Sequence, residues 1–216
     1  MVMFYNEDAR NKFLEDNSVD LFIINPPMFV DKVVDRYGGD ASKQIKETTL
    51  QGYLETAMGF TKHLSDALKS TGSIIFLMPN TPLVFLYVER VLRETDLQLG
   101  FTRIWSWQKG FDYIIHLHKG MPYENVNMFL PSTIFGPAEY EDNLDKFRWL
   151  GDISGATWEE LYRLLVLKYS REEDLIADIF GGTGTIAAVA KDTNRRFIYN
   201  DASSVQVEIA KARYAK

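Results

Sequence analysis

The residues with the most definite chemistry are Asn25-Pro26-Pro27-Met28, which leave the apolar run Leu21-Phe22-Ile23-Ile24. Proline fixes its own φ and restricts the residue before it, so the carbonyls of this segment point in set directions. The side-chain oxygen of Asn25 beside the carbonyl of Pro26 makes a pair of adjacent hydrogen-bond acceptors. Such a pair can grip both hydrogens of an –NH2 group. The same residues also suit a strand that simply ends in a turn, since prolines do not continue pairing within a central strand. The rest of the chain decides between these meanings.

A second constellation lies far downstream. Asp178-Ile179-Phe180-Gly181-Gly182-Thr183-Gly184-Thr185 follows an apolar stretch and precedes a helical one. Glycines there admit φ > 0 and let a ligand come against the backbone. The next β-rich run, Arg196 to Asn200, ends in Asp201. A carboxylate at that point can accept hydrogen bonds from ribose hydroxyls, so loop and acid together point to a nucleoside-containing cofactor. The spacing is neither G-x-G-x-x-G nor a Walker loop with its lysine, so neither NAD nor ATP fits best.

These residues need elements to position them. Met1 to Tyr5 reads as a strand, Ala9 to Glu15 as a short helix, and Val19 to Ile24 as a buried strand. The polar stretch Asp31 to Glu47, with Gly38-Gly39 at its middle, reads as a long binding or lid loop. Thr49 to Lys69 has helical period, Ser70-Thr71-Gly72 closes it, and Ser73 to Met78 is a nearly continuous apolar strand. A helix over Leu83 to Glu94 follows, then strands over Leu97 to Trp107 and Tyr113 to His118 joined by a turn at Gln108-Lys109-Gly110. Residues 120–155 carry no periodicity. Trp158 to Tyr169 is helical, Asp174 to Ile179 a strand, and a helix runs on to Ala190. Arg196 to Asn200 is a strand, and Ser203 to Tyr214 a closing helix capped by Ser203 or Ser204. Strands alternating with helices predict one α/β domain with helices on both faces of the sheet, and ligands at the carboxyl ends of its strands.

Composition narrows the function classes. The 216 residues are 46% hydrophobic and 25% charged, enough for one domain with a substantial core. No apolar run is long enough for a membrane span and no secretory leader pattern is visible. The chain has no cysteine, which removes disulfides and thiolate zinc sites and fits a cytoplasmic setting. With three histidines no metal centre is expected, and His116 and His118, sharing a strand face, read as packing residues. A net charge of −6 argues against bulk electrostatic coating of nucleic acid but leaves room for a local basic groove, for which Arg103, Lys109, Lys119, Lys146 and Arg148 are candidates.

Together these pieces resemble the permuted, β-type group of S-adenosylmethionine-dependent DNA amino-methyltransferases, which act on adenine N6 or cytosine N4. The family's catalytic motif [D/N/S]-P-P-[Y/F/W] is met by Asn25-Pro26-Pro27-Met28, after Asp16-Asn17-Ser18-Val19-Asp20-Leu21-Phe22-Ile23-Ile24 in place of D-N-S-V-D-L-I-I-T. The loop D-x-F-x-G-x-G-T is matched by Asp178 to Thr185, and R-R-F-I-G-I-E by Arg195 to Asp201. Val207-Glu208-Ile209-Ala210-Lys211 is also familiar, and lesser echoes are Ala67 to Ile75 and Asp112 to Ile115. Protein-glutamine and ribosomal methyltransferases also carry N-P-P-Y, usually with the cofactor loop before it. Here it comes after.

The resemblance implies a single-domain Rossmann-like class I methyltransferase fold over residues 1–216, with 120–155 as a small target-recognition region. Within that stretch Tyr123, Tyr140, Phe147, Arg148 and Trp149 are candidate contacts. It implies S-adenosyl-L-methionine as cofactor and DNA as partner, with the target base flipped out and its exocyclic amine, above all adenine N6, held by Asn25 and Pro26. By the same resemblance Asp201 takes the cofactor ribose, Asp8 its adenine, and Phe180 to Thr185 its methionine moiety, with Asp178 opening that loop. A homodimer is an open alternative to a monomer, and the compact size suits a phage, mobile-element or prokaryotic restriction-modification enzyme.

Three departures stand out. Met28 occupies the position where the family stacks an aromatic on the base, an interaction of roughly 1–3 kcal/mol, with Phe29 next door as a substitute. Asp152 to Thr157 replaces an H-P-T-Q-K-P-like phrase that helps seat the cofactor. The region for sequence recognition is short. Cytosine N4, RNA or a small-molecule amine as substrate, or a cofactor-binding relative without catalysis, are the alternatives these departures leave open.

Overall fold

A computed structural model describes residues 2–27, 49–107, 110–135 and 158–215. An eight-stranded sheet runs through it in the order β1-β8-β7-β2-β3-β5-β4-β6. In chain order its elements are β1 (Val2–Tyr5), β2 (Val19–Ile24), α1 (Leu50–Ala67), β3 (Leu68–Pro79), α2 (Leu83–Glu94), β4 (Gln98–Trp107) and β5 (Gly110–His118). There follow β6 (Thr133–Phe135), α3 (Trp158–Tyr169), β7 (Leu175–Asp178), α4 (Thr185–Asp192), β8 (Arg196–Asn200) and α5 (Ser204–Tyr214). The pairs β1–β8, β8–β7, β7–β2 and β2–β3 are parallel, while β5 lies antiparallel between β3 and β4.

The central strands are apolar on both sides because both sides are covered. Phe22, Ile24, Ile74, Phe76 and Met78 pack with α1 and α2 residues such as Tyr53, Phe60, Leu64 and Tyr87 on one face. Leu21, Ile23, Ile75 and Leu77 pack with Leu161, Leu165, Ile186, Val189 and Val207 of α3, α4 and α5 on the other. Each such side chain contributes roughly 1.5–3 kcal/mol on leaving water. The period-2 alternation of strand side chains therefore separates two half-cores, and the expected α/β architecture is observed.

Some local expectations are corrected. Residues 9–15 form no helix. The Asn11 N–H donates to the Asp8 carbonyl at 2.9 Å in a turn, Asn17 takes a φ of 51°, and Phe13 and Leu14 anchor the segment on the core beside Tyr5 and Leu54. Asp, Asn and Ser favour such local bonds over helix. Ser70-Thr71-Gly72 does not close α1; the helix ends at Leu68 with φ −72°, ψ 131° and passes straight into β3. Within 120–155 the short strand β6 pairs with β4, Ile104 opposite Thr133, and buries Ile134. A three-residue strand carries too little periodicity to be read from sequence. Ser203 proves to be the cap of α5.

The connection from β2 to β3 steps outward in one direction, and that from β7 to β8 steps outward in the other. The chain direction across the sheet thus reverses between β2 and β7. In open α/β sheets the crevice at such a reversal, beyond the carboxyl ends of the strands, is where ligands bind. Among the described residues no helix is long and apolar enough to cross a membrane, and no group of acidic and histidine side chains is arranged to hold a metal ion.

Candidate active site

Asn25 follows the last residue of β2 and Ile179-Phe180 follows the last residue of β7. Leu21 lies opposite Ile176 and Phe22 opposite Ala177, so the same register carried forward brings Asn25 level with Phe180. Neighbouring strands are about 4.8 Å apart. Two sequence segments separated by some 150 residues therefore meet at the reversal.

The glycine loop is held from three sides. The Phe180 N–H donates to Asp178 Oδ1 at 3.0 Å, closing the first turn. The Gly181 N–H donates to the Asn200 carbonyl at 2.8 Å and the Gly184 N–H to the Gly181 carbonyl at 2.9 Å. The Gly182 N–H donates to Asp201 Oδ2 at 2.9 Å, while Asp201 Oδ1 accepts the Ser203 N–H at 2.8 Å. Tyr199 donates its hydroxyl to the Gly182 carbonyl at 2.6 Å. Its ring leaves no room for a side chain on Gly181, whose Cβ would lie 2.3 Å from Tyr199 Cε2. Gly182, with φ +49°, is different: a Cβ there would meet nothing within 4 Å. The loop is packed from beneath and open above, as a surface for close approach of a ligand requires.

Asp201 and the loop, joined in sequence reasoning, are joined in space, and Asp201 braces the loop as well as facing the site. Asn6 Nδ2 donates to the Asp201 carbonyl at 2.8 Å, tying the segment after β1 to the same place. Asp8, in that segment, is ion-paired with Arg10. Phe180 packs edge-on against Phe60 with ring centroids 5.2 Å apart. Thr183 is exposed, and Thr185 Oγ1 accepts from Arg213 Nη1 at 2.9 Å.

Both acids beside the loop are pushed toward their protonated forms. Asp178 is 4% exposed, and burial pushes its carboxyl up to about 8; the Phe180 N–H opposes that rise and the Asp201 carboxylate adds to it. Burial also raises Asp201, against the N–H groups of Ser203 and Gly182. Among the described residues neither carboxylate forms an ion pair. A ligand with hydroxyl groups that donate to carboxyl oxygens matches this pair. S-adenosyl-L-methionine carries a ribose with such hydroxyls, and the open apex at Gly182 leaves room for its approach, so the residues fit it.

A stability prediction follows from Asp178. Its folded-state value, about 8, lies above the ordinary 3.8, so between these limits the folded protein holds a proton that the unfolded chain has released. Stability is then greatest below the lower limit and declines as pH rises through the upper one. Denaturant unfolding of the ligand-free protein should show stability falling from about pH 4 to about pH 8 and levelling above, and Asp178→Asn should flatten that decline. An unchanged slope in the variant would assign the pH dependence elsewhere.

In the Asn25 motif, Pro26 is buried, while Asn25 and Pro27 are exposed. Met28 and Phe29 lie outside the described residues. Tyr162 of α3 is buried and packs beside Trp158, with ring centroids 5.9 Å apart. The sequence reading of the helix over Trp158 to Tyr169 gives Tyr162 no role. Its hydroxyl has no signature in the sequence. Burial, with Asp178 and Asp112 nearby, pushes the Tyr162 pKa up, so the phenol keeps its proton at neutral pH.

Among the described residues, two of the five candidates for a basic groove are engaged within the fold. Arg103 is buried, lying over the Phe101 ring at 4.7 Å and donating to the Tyr169 hydroxyl at 2.8 Å. Lys119 pairs with Asp96 at 3.1 Å. Lys109, Lys146 and Arg148 lie outside the described residues. His116 is buried, shares a 2.9 Å hydrogen bond with Ser73, and has His118 beside it at 5.4 Å between ring centroids. Burial, with His118, Arg103 and Lys168 nearby, pushes His116 down to about 3, so it packs as a neutral ring.

Comparison with known proteins agrees with this geometry. The profile of the DNA methylase family matches residues 19–212. The type II methyltransferase M.HpaI of Haemophilus parainfluenzae is 26% identical over an alignment spanning 94% of this chain and 70% of its own. PvuII DNA methyltransferase, described as cytosine-N4-specific, has the same fold at a TM-score of 0.74 and 17% identity, over 99% of this chain and 86% of that one. The M1.HpyAVI–SAM complex matches at 0.67 and 14%, over 99% and 98%.

Proposed function

The chain belongs to the DNA methylase family, and from that premise we propose that it transfers a methyl group from S-adenosyl-L-methionine to an exocyclic amine of DNA, adenine N6. The observation that carries this reading is the meeting of Asn25-Pro26-Pro27 with the Asp178–Thr185 loop and Asp201 where the sheet order reverses. The phrases shared with the amino-methyltransferases fit either base, adenine being the first reading; the likeness to the cytosine-N4-specific PvuII structure favours cytosine N4 as the second.

The cofactor supplies an electrophilic methyl on a sulfonium. Phe180, Gly181, Gly182, Thr183, Gly184 and Thr185 hold its methionine moiety, with Asp178 fixing the turn, Asp201 taking the ribose and Asp8 the adenine. The exocyclic nitrogen is a poor nucleophile because its lone pair is delocalised into the ring. Asn25 Oδ1 and the Pro26 carbonyl accept its hydrogens and draw it toward tetrahedral geometry, which frees the lone pair toward the methyl. Pro27 fixes the backbone, and Met28 or Phe29 lies against the flipped base. Asn25 is neutral, so placement and charge stabilisation supply the effect rather than a strong base. Residues 1–216 form one methyltransferase domain, with 120–155 as the region that meets the recognition sequence. Tyr123, held under Arg171 at 4.3 Å, belongs to it. The setting is the cytoplasm, where DNA and cofactor meet.

Incubation with methyl-tritiated cofactor and unmethylated DNA should label the DNA. Measurable cofactor binding with unlabelled DNA would contradict the reading.

A further inference from the structure

Backbone pairing between β1 and β8 runs from Val2 opposite Phe197 to Tyr5 opposite Asn200 and stops there. Beyond that point side chains join the two segments. Asn6 Nδ2 donates to the Asp201 carbonyl at 2.8 Å, and the amide of Asn200 reaches back to Glu7. The ladder thus gives way to side-chain bridges where the two segments carry Asp8 and Asp201.

Asn200 is fully buried. Its Oδ1 accepts the Glu7 N–H at 2.8 Å, and its Nδ2 donates to the carbonyls of Glu7 and Ile179, each at 3.1 Å. Its own backbone carbonyl accepts the Gly181 N–H at 2.8 Å. An amide has two N–H donors and one acceptor oxygen, and here all of them meet backbone groups. The flipped orientation would set N–H against N–H and oxygen against two carbonyls, so the network fixes which end is which. A carboxylate lacks the donors and an aliphatic side chain lacks both functions, so neither could make this set. One residue at the end of β8 therefore ties the segment after β1 to the start of the glycine loop.

In the proposed function these two segments stand at opposite ends of the cofactor, Asp8 at the adenine and Phe180 to Thr185 at the methionine. A ligand that spans both gains most when their separation is set before it arrives. We propose that Asn200 is a positioning residue that holds the Asp8 segment at a fixed separation from the glycine loop, and so sets the preference of the site for an adenine-bearing cofactor. This rests on the cofactor assignment above. Asn200 acts through Glu7 and Ile179 rather than by touching the ligand.

S-adenosyl-L-homocysteine and S-inosyl-L-homocysteine differ at the base, where the exocyclic amine of the first is a carbonyl in the second. Calorimetry with the native protein should show the first bound at least roughly tenfold more tightly, the scale of a hydrogen bond to a charged group. In Asn200→Ala that ratio should fall below about threefold, because the Asp8 segment is no longer held against the base. A loss shared equally by both ligands, with the ratio intact, is what a merely structural residue gives and would overturn the proposal. A second measurement needs no variant. Glu7 is exposed, yet its N–H should exchange with solvent as slowly as those of the β1–β8 ladder, and rapid exchange would overturn the brace. Binding of neither ligand by the native protein would overturn the cofactor assignment itself, whereas an intact ratio in the variant sinks only the role of Asn200.

Discussion

Asn25→Ala abolishes methyl transfer, lowering kcat by roughly 10²–10³-fold or more, while cofactor affinity stays within a few-fold of the native protein. The side chain removed is exposed at the end of β2. The loop that would hold the cofactor is braced by Asp178, Tyr199, Asn200 and Asp201, none of which depends on Asn25. Truncation therefore removes an interaction that matters as the amine becomes tetrahedral, and leaves the binding surface alone. Pre-placed polar groups aimed at developing charge are worth most when the surrounding protein fixes them. Single-turnover kinetics and calorimetry with the cofactor separate the effects. A large loss of cofactor affinity in this variant would mean that Asn25 belongs to the cofactor site.

Asp201→Ala produces the converse pattern. Its carboxylate accepts the N–H groups of both Gly182 and Ser203, so removal frees the open apex of the glycine loop and the first turn of α5 together. Cofactor affinity should drop at least roughly tenfold, as expected for losing charge-assisted hydrogen bonds, and stability should fall by about 1–3 kcal/mol for the buried amides left unmatched. Asp201→Asn retains one acceptor and should lose less on both measures. Calorimetry and denaturant unfolding read the two effects separately. Unchanged cofactor binding in Asp201→Ala would remove Asp201 from the site.

The parts of this molecule that sequence conveys well are those where one physical requirement dominates. Leu21 to Ile24 had to be buried on both faces, and β2 sits at the centre of the sheet with helices above and below. The glycines of the loop are legible because their reasons are local: Gly181 lies under the Tyr199 ring, and Gly182 takes a positive φ with open space over it. Ser203 announces the start of α5 by its own chemistry. What sequence conveys badly is set by partners far along the chain. Ala9 to Glu15 has helix-compatible residues, yet Phe13 and Leu14 are held by the core in an irregular path. β6 exists because β4 offers it an edge. Arg103 looks like a surface cation and is instead enclosed by Phe101 and Tyr169. Nothing in the spacing of these residues encodes the strand register that brings them together.

The same contrast applies to the site as a whole. Asn25 and the Asp178–Thr185 loop could each be assigned a plausible chemistry in isolation, and each could equally have been a turn. Their meeting at the reversal of strand order, with Asp201 bonded to the loop, is a property of the fold. Asp8 is ion-paired to Arg10 in the segment that Asn6 anchors to Asp201.

The most direct measurement is base-resolved. Unmethylated DNA incubated with the protein and S-adenosyl-L-methionine, digested to nucleosides and separated by mass, should contain N6-methyladenine and no new methylated base after incubation with Asn25→Ala. N4-methylcytosine instead would keep the chemistry and change the base. DNA free of any methylated amine, from a protein shown to bind the cofactor, would contradict the account.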